Sequence, residues 1–286
     1  MYVSLPAQAI VIRDDVDDGE YLAAAGSYEA VFDVFEKRGG VGTLISSELA
    51  ITAGHVGQDI PVGHKVEIAG AQYEVERVIL HPEWESNNRE MALFKLDRPV
   101  VGIDPILPYD GSGELNQIVT FVGRGDTGTG LTGPVTADHE LRAATNRFER
   151  VEGGTLVFRF DSPDDENVTP LEGVSGPGDS GGPALMESGD GLRLVGLSVA
   201  SSGRPPGTYG NWEFYSRVSP DVDWINEVLA SEIGSVPGES NKITPITGVA
   251  GDDDDRTRFM TYISLAAVIT VLILSTALWR RRRSNS

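Results

Sequence analysis

Residues 176–183 run Gly176-Pro177-Gly178-Asp179-Ser180-Gly181-Gly182-Pro183, and the apolar stretch Ala184-Leu185-Met186 follows at once. A hydroxyl thus sits in a glycine-rich loop at the entrance to a strand. Glycine lets main chain approach a ligand closely, so the backbone N–H groups of Gly178 and Ser180 can be aimed at an oxyanion. A serine hydroxyl is a poor nucleophile until a neighbouring imidazole takes its proton. The imidazole in turn needs an acid on its other nitrogen, to fix the tautomer and stabilise the cation that forms. Both partners occur upstream in fitting contexts. Leu49-Ala50-Ile51-Thr52-Ala53-Gly54-His55-Val56 is an apolar strand, a small-residue turn and then His55. Arg89-Glu90-Met91-Ala92-Leu93-Phe94-Lys95-Leu96 is an acid entering a strand.

Working outward, residues 28–218 break into short apolar runs separated by turns. Examples are Glu48–Thr52, Gln72–Leu80, Met91–Leu96, Gln117–Val122, Thr155–Phe160, Leu192–Val199 and Phe214–Val218. The 34 glycines and 16 prolines supply the turns that such short strands need. No long amphipathic helix interrupts them, so an all-β sandwich or a pair of barrels is predicted. Ser219–Ser231 then carries a helix signature. Ser219 fits an N-cap, Pro220 the first helical position, and Val222, Ile225, Val228 and Leu229 recur at helical spacing.

These segments resemble the trypsin/chymotrypsin family of serine proteases over residues 28–232. Gly42–Val56 resembles the stretch bearing the family's histidine, Gly178–Pro183 is its nucleophile motif unaltered, and Phe214–Val218 with Asp223–Ile225 resembles its last strand and closing helix. The resemblance implies two packed antiparallel β-barrels with a C-terminal helix. It also implies a Ser180–His55–acid triad working through an acyl-enzyme, an oxyanion hole from the N–H groups of Gly178 and Ser180, protein or peptide substrates, and neither cofactor nor metal. Three departures stand out. The family's acid is Asp where this chain has Glu90, which either orients His55 or is a solvated loop acid. The family's cysteines are absent, so packing must replace disulfides. Finally, the family frees an N-terminal amine that pairs with the Asp before the nucleophile, here Asp179. Val16-Asp17-Asp18-Gly19 lies near the expected distance but matches poorly.

The resemblance also locates a substrate pocket. Val174 stands where trypsin-like enzymes carry their specificity Asp. Val199 and Ser201 fall on one wall, and Glu213 replaces a glycine on another, facing either the pocket or solvent. Were Glu90 not to serve, the alternative function is a protease-fold binding module with little or no catalysis. Arg124-Gly125-Asp126 reads as a loop, Glu67, Glu74 and Glu76 as solvated strand acids, and His64, His81 and His139 as structural.

The chain has 286 residues, enough for one two-lobed unit. Its net charge of −20 argues against nucleic acid, whose phosphates call for Lys and Arg. Residues 1–9 end in the small-x-small pattern Ala7-Gln8-Ala9, as a signal-peptide remnant would. Residues 10–27 form an N-terminal arm, and 233–258, rich in Gly, Pro, Ser and Thr and then acidic, a flexible stalk. Within 259–279, Met260–Trp279 is charge-free over 20 residues, long enough to cross a bilayer as a helix. Arg280–Arg283 in the tail 280–286 puts that end in the cytoplasm and the protease domain outside. The helix is expected to be either a permanent anchor or a sorting signal removed after export.

Overall fold

The computed structural model describes residues 10–233, apart from residues 27, 36–38, 85–88, 137 and 204. The strands, in chain order, are β1 (Val11–Ile12), β2 (Val31–Asp33), β3 (Val41–Leu44), β4 (Leu49–Thr52), β5 (Lys65–Ile68), β6 (Ala71–Leu80), β7 (Ala92–Leu96), β8 (Leu107–Pro108) and β9 (Ile118–Gly123). They continue with β10 (Thr127–Thr129), β11 (Gly133–Thr136), β12 (Arg142–Arg147), β13 (Arg150–Glu152), β14 (Thr155–Arg159), β15 (Gly173–Val174), β16 (Pro183–Ser188), β17 (Gly191–Ser201) and β18 (Trp212–Arg217). Among the described residues, the helices with them include α1 (Asp18–Ala24), the single turn α2 (Gly54–Gly57) and α3 (Val222–Ile233).

Six strands in the order β2-β3-β4-β7-β6-β5 make the first barrel-like sheet. Strand β4 is buried at all four positions, paired between β3 and β7 at the centre of the sheet. The β5–β6 hairpin instead alternates, with Val66, Ile68, Tyr73 and Val75 inward and acids and Lys65 outward. The second lobe follows the order β12-β9-β16-β17-β18-β14-β13, with β8 against β17 and a small sheet β11-β10-β1-β15 beside it.

One apolar cluster runs from Leu49, Ile51 and Phe94 of the first lobe through Val122, Leu185 and Leu197 of the second to Ile225 of α3. It joins the lobes without a single cysteine. A second cluster, in which Phe158 and Tyr215 each make ring contacts with Phe121, Phe148 and one another, fills the second lobe. The C-terminal helix starts differently from expectation. Ser219–Asp221 is a 3₁₀ turn leading into α3, and the Ser219 hydroxyl donates to Glu114 rather than capping the helix. Met260–Trp279 and residues 234–258 of the expected stalk lie outside the described residues, Ile233 instead closing α3, and among those described no helix is long and apolar enough to cross a membrane.

Candidate active site

The first lobe presents His55. Strand β4 ends at Thr52, Ala53 leaves it in extended conformation, and the turn α2 lifts His55 to the surface with its side chain one-third exposed (33%). Strand β7 pairs antiparallel to β4, with Ala92 opposite Thr52. The residues just before Ala92 therefore lie alongside those just after Thr52, which brings Glu90 to the His55 turn. One oxygen, Glu90 Oε2, accepts from the His55 backbone N–H and from Nδ1, each at 3.0 Å. The carboxylate is largely buried (12% exposed). With Nδ1 donating to an acid, the ring keeps its proton there and leaves Nε2 as an acceptor.

The second lobe presents Ser180. Its loop is sealed onto the first lobe by Gly40 N–H donating to Gly178 O (2.7 Å) and Val41 N–H to Ser180 O (2.8 Å). Gly181 has φ +81°, and a Cβ there would come within 2.2 Å of Thr52 Oγ1 and 2.8 Å of Ala53 N. Only glycine allows that approach, and it sets Ser180 beside the turn that carries His55. The neighbours Asp179, Gly181 and Gly182 all donate their N–H groups within the protein. Among the described residues, the N–H groups of Gly178 and Ser180 donate to none, and the Ser180 hydroxyl forms no hydrogen bond. The loop thus combines a half-buried hydroxyl with two N–H donors that no described residue takes up, the arrangement that can hold a developing oxyanion.

Beneath the loop Asp179 is buried at 1% exposure. It accepts from the N–H groups of Gly125 (2.6 Å), Gly176 (2.8 Å) and Ile10 (3.0 Å). Burial outweighs these donors and pushes its carboxyl up to about 7. Sequence reasoning missed Ile10. The segment Val16–Gly19 lies elsewhere, with Asp17 capping α1 by accepting from Gly19 N–H. The one local signal for Ile10 was the apolar Ile10-Val11-Ile12 itself, whose last two residues become β1 between β10 and β15. Arg124-Gly125-Asp126 is more than a surface loop, since its central N–H reaches Asp179.

Of the expected pocket residues, Val174 is fully buried on β15, and Glu213 is buried at 1% exposure on β18. Glu213 therefore faces inward, not solvent. Its Oε1 has no hydrogen-bond partner, and burial, with Asp179 adding to it, holds the carboxyl well above the usual range. Nearby, Ser198 Oγ donates to Ser175 Oγ at 3.1 Å, and Ser175 meets the Tyr215 hydroxyl at 2.6 Å. Ser201 pairs with Glu213 across the β17–β18 ladder but is itself exposed, and Val199 is half-buried. Among the described residues no His, Asp and Glu cluster suited to a metal occurs.

The sequence profile of the family described as Trypsin matches residues 19–225. The chain is 29% identical to the "Complement C1s subcomponent" of Sus scrofa over 225 residues, covering 66% of this chain and 32% of that protein. It is 28% identical to the "Clotting factor G beta subunit" of Tachypleus tridentatus over 208 residues, covering 61% and 63%. It is 26% identical to the "CLIP domain-containing serine protease B15" of Anopheles gambiae over 232 residues, covering 67% and 61%. The chain therefore spans from about a third to under two thirds of the length of these relatives.

Proposed function

The chain belongs to the trypsin family, and from that premise we propose that it is a serine endopeptidase in which Ser180, His55 and Glu90 act as a triad on protein or peptide substrates. Ser180 Oγ attacks the scissile carbonyl as His55 Nε2 takes its proton, and the new oxyanion is held by the N–H groups of Gly178 and Ser180. The imidazolium is stabilised by Glu90 and then protonates the leaving amine. Water repeats the sequence on the acyl-enzyme and frees Ser180. The observation that carries this reading is the double hold of Glu90 Oε2 on His55, on a turn against which the Ser180 loop is sealed. Glu is one methylene longer than Asp, yet the carboxylate reaches both donors.

Two finer points belong to the same proposal. Cleavage before Ile10 would convert the N–H at 3.0 Å from Asp179 into an ammonium, pairing the buried carboxylate and locking the Ser180 loop. The inward carboxyl of Glu213 would take an Arg or Lys side chain before the scissile bond. The enzyme acts outside the cytoplasm, held by Met260–Trp279 with Arg280–Arg283 inside.

The test is a fluorophosphonate probe on the purified domain. Wild type should be labelled at Ser180 and hydrolyse peptides; Ser180→Ala should do neither while keeping its melting temperature. Peptidase activity undiminished in Ser180→Ala would end the proposal.

A further inference from the structure

We infer that Asp221, at the threshold of the C-terminal helix, is a positioning residue that acts through Arg89 and His81 to grip both flanks of Glu90. The inference rests on the proposed role of Glu90. Asp221 closes the 3₁₀ turn before α3, and its side chain is only 7% exposed. Its two oxygens face two different cations or donors. Oδ2 lies 3.4 Å from Arg89 Nη1, and Oδ1 lies 3.4 Å from His81 Nε2.

Each of these contacts leads to one side of Glu90. Arg89 is the residue immediately before it. Its guanidinium, 25% exposed, bridges Asp221 and Glu83, and it also abuts Gly154 of the second lobe, where a Cβ would fall 2.7 Å from Nη1. On the other side, the His81 N–H donates to Met91 O at 3.0 Å, fixing the residue immediately after Glu90. Met91 N–H closes the turn by donating to Arg89 O at 2.7 Å. The His81 ring is itself fixed. Nδ1 accepts from Glu83 N–H at 3.1 Å, which leaves the proton on Nε2, facing Asp221. Trp224 of α3 stacks edge-on at 4.6 Å.

A buried carboxylate is tolerable only when paired. Here the pairing serves Arg89 and His81 at once, so the positions on both sides of Glu90 are held, and its carboxylate meets His55. The acid must be held to within about 0.5 Å to fix the imidazole, and misplacement by about 1 Å can cost on the order of 100-fold in rate.

The experiment compares wild type, Arg89→Gln, Arg89→Lys and Asp221→Asn by two readouts. One is kcat, KM and the pH profile of kcat/KM per titrated active site. The other is the downfield proton resonance of the His55 Nδ1–H bond, which is visible whether or not the protein hydrolyses anything. A loosened Glu90 supports the imidazolium less well. Arg89→Gln and Asp221→Asn should therefore lower kcat about tenfold at unchanged KM, move the acidic limb to lower pH, and broaden or shift the resonance. Arg89→Lys, which keeps the charge, should restore most of the rate and also serves if the Gln variant does not fold. The limb decides between position and charge. Removing a nearby cation by electrostatics alone would stabilise the imidazolium and move the limb of Arg89→Gln to higher pH. That outcome, or variants with wild-type kcat and an unaltered resonance, overturns the inference. Should wild type fail to react with fluorophosphonate, the peptidase reading falls, and the resonance still decides whether Asp221 sets the Glu90–His55 bond.

Discussion

Glu213 lies opposite Ser201 on one side of its strand and Phe158 on the other, and alternation puts it on the same face as Tyr215. That face is interior, so a charged residue type occupies a position where an ion has neither water nor a partner. Burial disfavours the charged form of the carboxyl; in the proposed pocket, an entering guanidinium or ammonium would favour ionisation and form a buried pair. Peptides with Arg or Lys before the scissile bond should therefore be preferred. In Glu213→Gln, kcat/KM for those peptides should fall on the order of 100-fold, since a buried charge would lose its partner, while uncharged peptides change little. A substrate panel reads this directly. A preference for small or aromatic residues that is the same in both proteins would rule it out.

Arg142, on β12, is 2% exposed and ties α1 to the second lobe. Both Asp18 oxygens accept from it at 2.6 and 2.7 Å, and Asp138 accepts at 2.9 and 2.7 Å. Burial opposes the charge on Arg142, yet the two carboxylates hold its pKa above the ordinary value. Since both acids are part exposed, the clamp is worth about 2 kcal/mol after screening. Arg142→Gln should lower the melting temperature by about 4–8 °C and speed hydrogen exchange in residues 10–24, with Ile10 less firmly held at Asp179. Unchanged exchange in that arm would show that β1 alone holds it. None of this was legible in the sequence. The two-residue strands β1 and β15 are too short to show a period, and the partner of Ile10 stands 169 residues away. Longer strands such as β6, β7, β14 and β17 announced themselves by apolar runs between turns, and α3 by its 3.6-residue spacing. The sequence left Glu90 open between orienting His55 and facing solvent, because the pairing of β4 with β7 that brings the two together joins segments distant in sequence, the residues themselves standing 35 apart. The close backbone approach beside Ser180 was legible because its glycines are needed locally. The Asp221 network was not, because side-chain contacts of Asp221 with Arg89 and His81 join three segments distant in sequence.

Across the whole molecule, the buried carboxyls give an unusual dependence on pH. Burial raises Glu172 from 4.5 to about 7 and Asp179 from 3.8 to about 7, and raises Glu213 as well. Between the unfolded and folded values, the folded chain keeps protons that the unfolded chain has released, so stability falls as pH rises through that window. Acids held low by arginines, such as Asp138 beside Arg142, have contributed fully by pH 5 and do not offset this. Repulsion within a chain of net charge −20 acts in the same direction. The melting temperature should drop by about 10 °C or more from pH 5 to pH 7.5, and by less once cleavage before Ile10 supplies Asp179 with an ammonium. A flat or rising profile would mean that these carboxyls ionise freely in the folded protein. The proposed anchor governs where such a molecule works. A charge-free stretch of 20 residues, Met260–Trp279, satisfies its backbone polar groups in a bilayer only as a helix, and carrying Arg280–Arg283 across would be costly. A flexible stalk over 233–258 would reach roughly 25–30 Å, enough for the His55–Ser180 face to meet substrates above the membrane. Deleting residues 259–286 should move the protease from the membrane fraction to the soluble fraction with its peptidase activity unchanged. Full-length protein found soluble with its C-terminus intact would exclude the anchor. Soluble protein that has lost the tail would identify the segment as a sorting signal cut after export, and mass spectrometry of the C-terminal peptide separates the two.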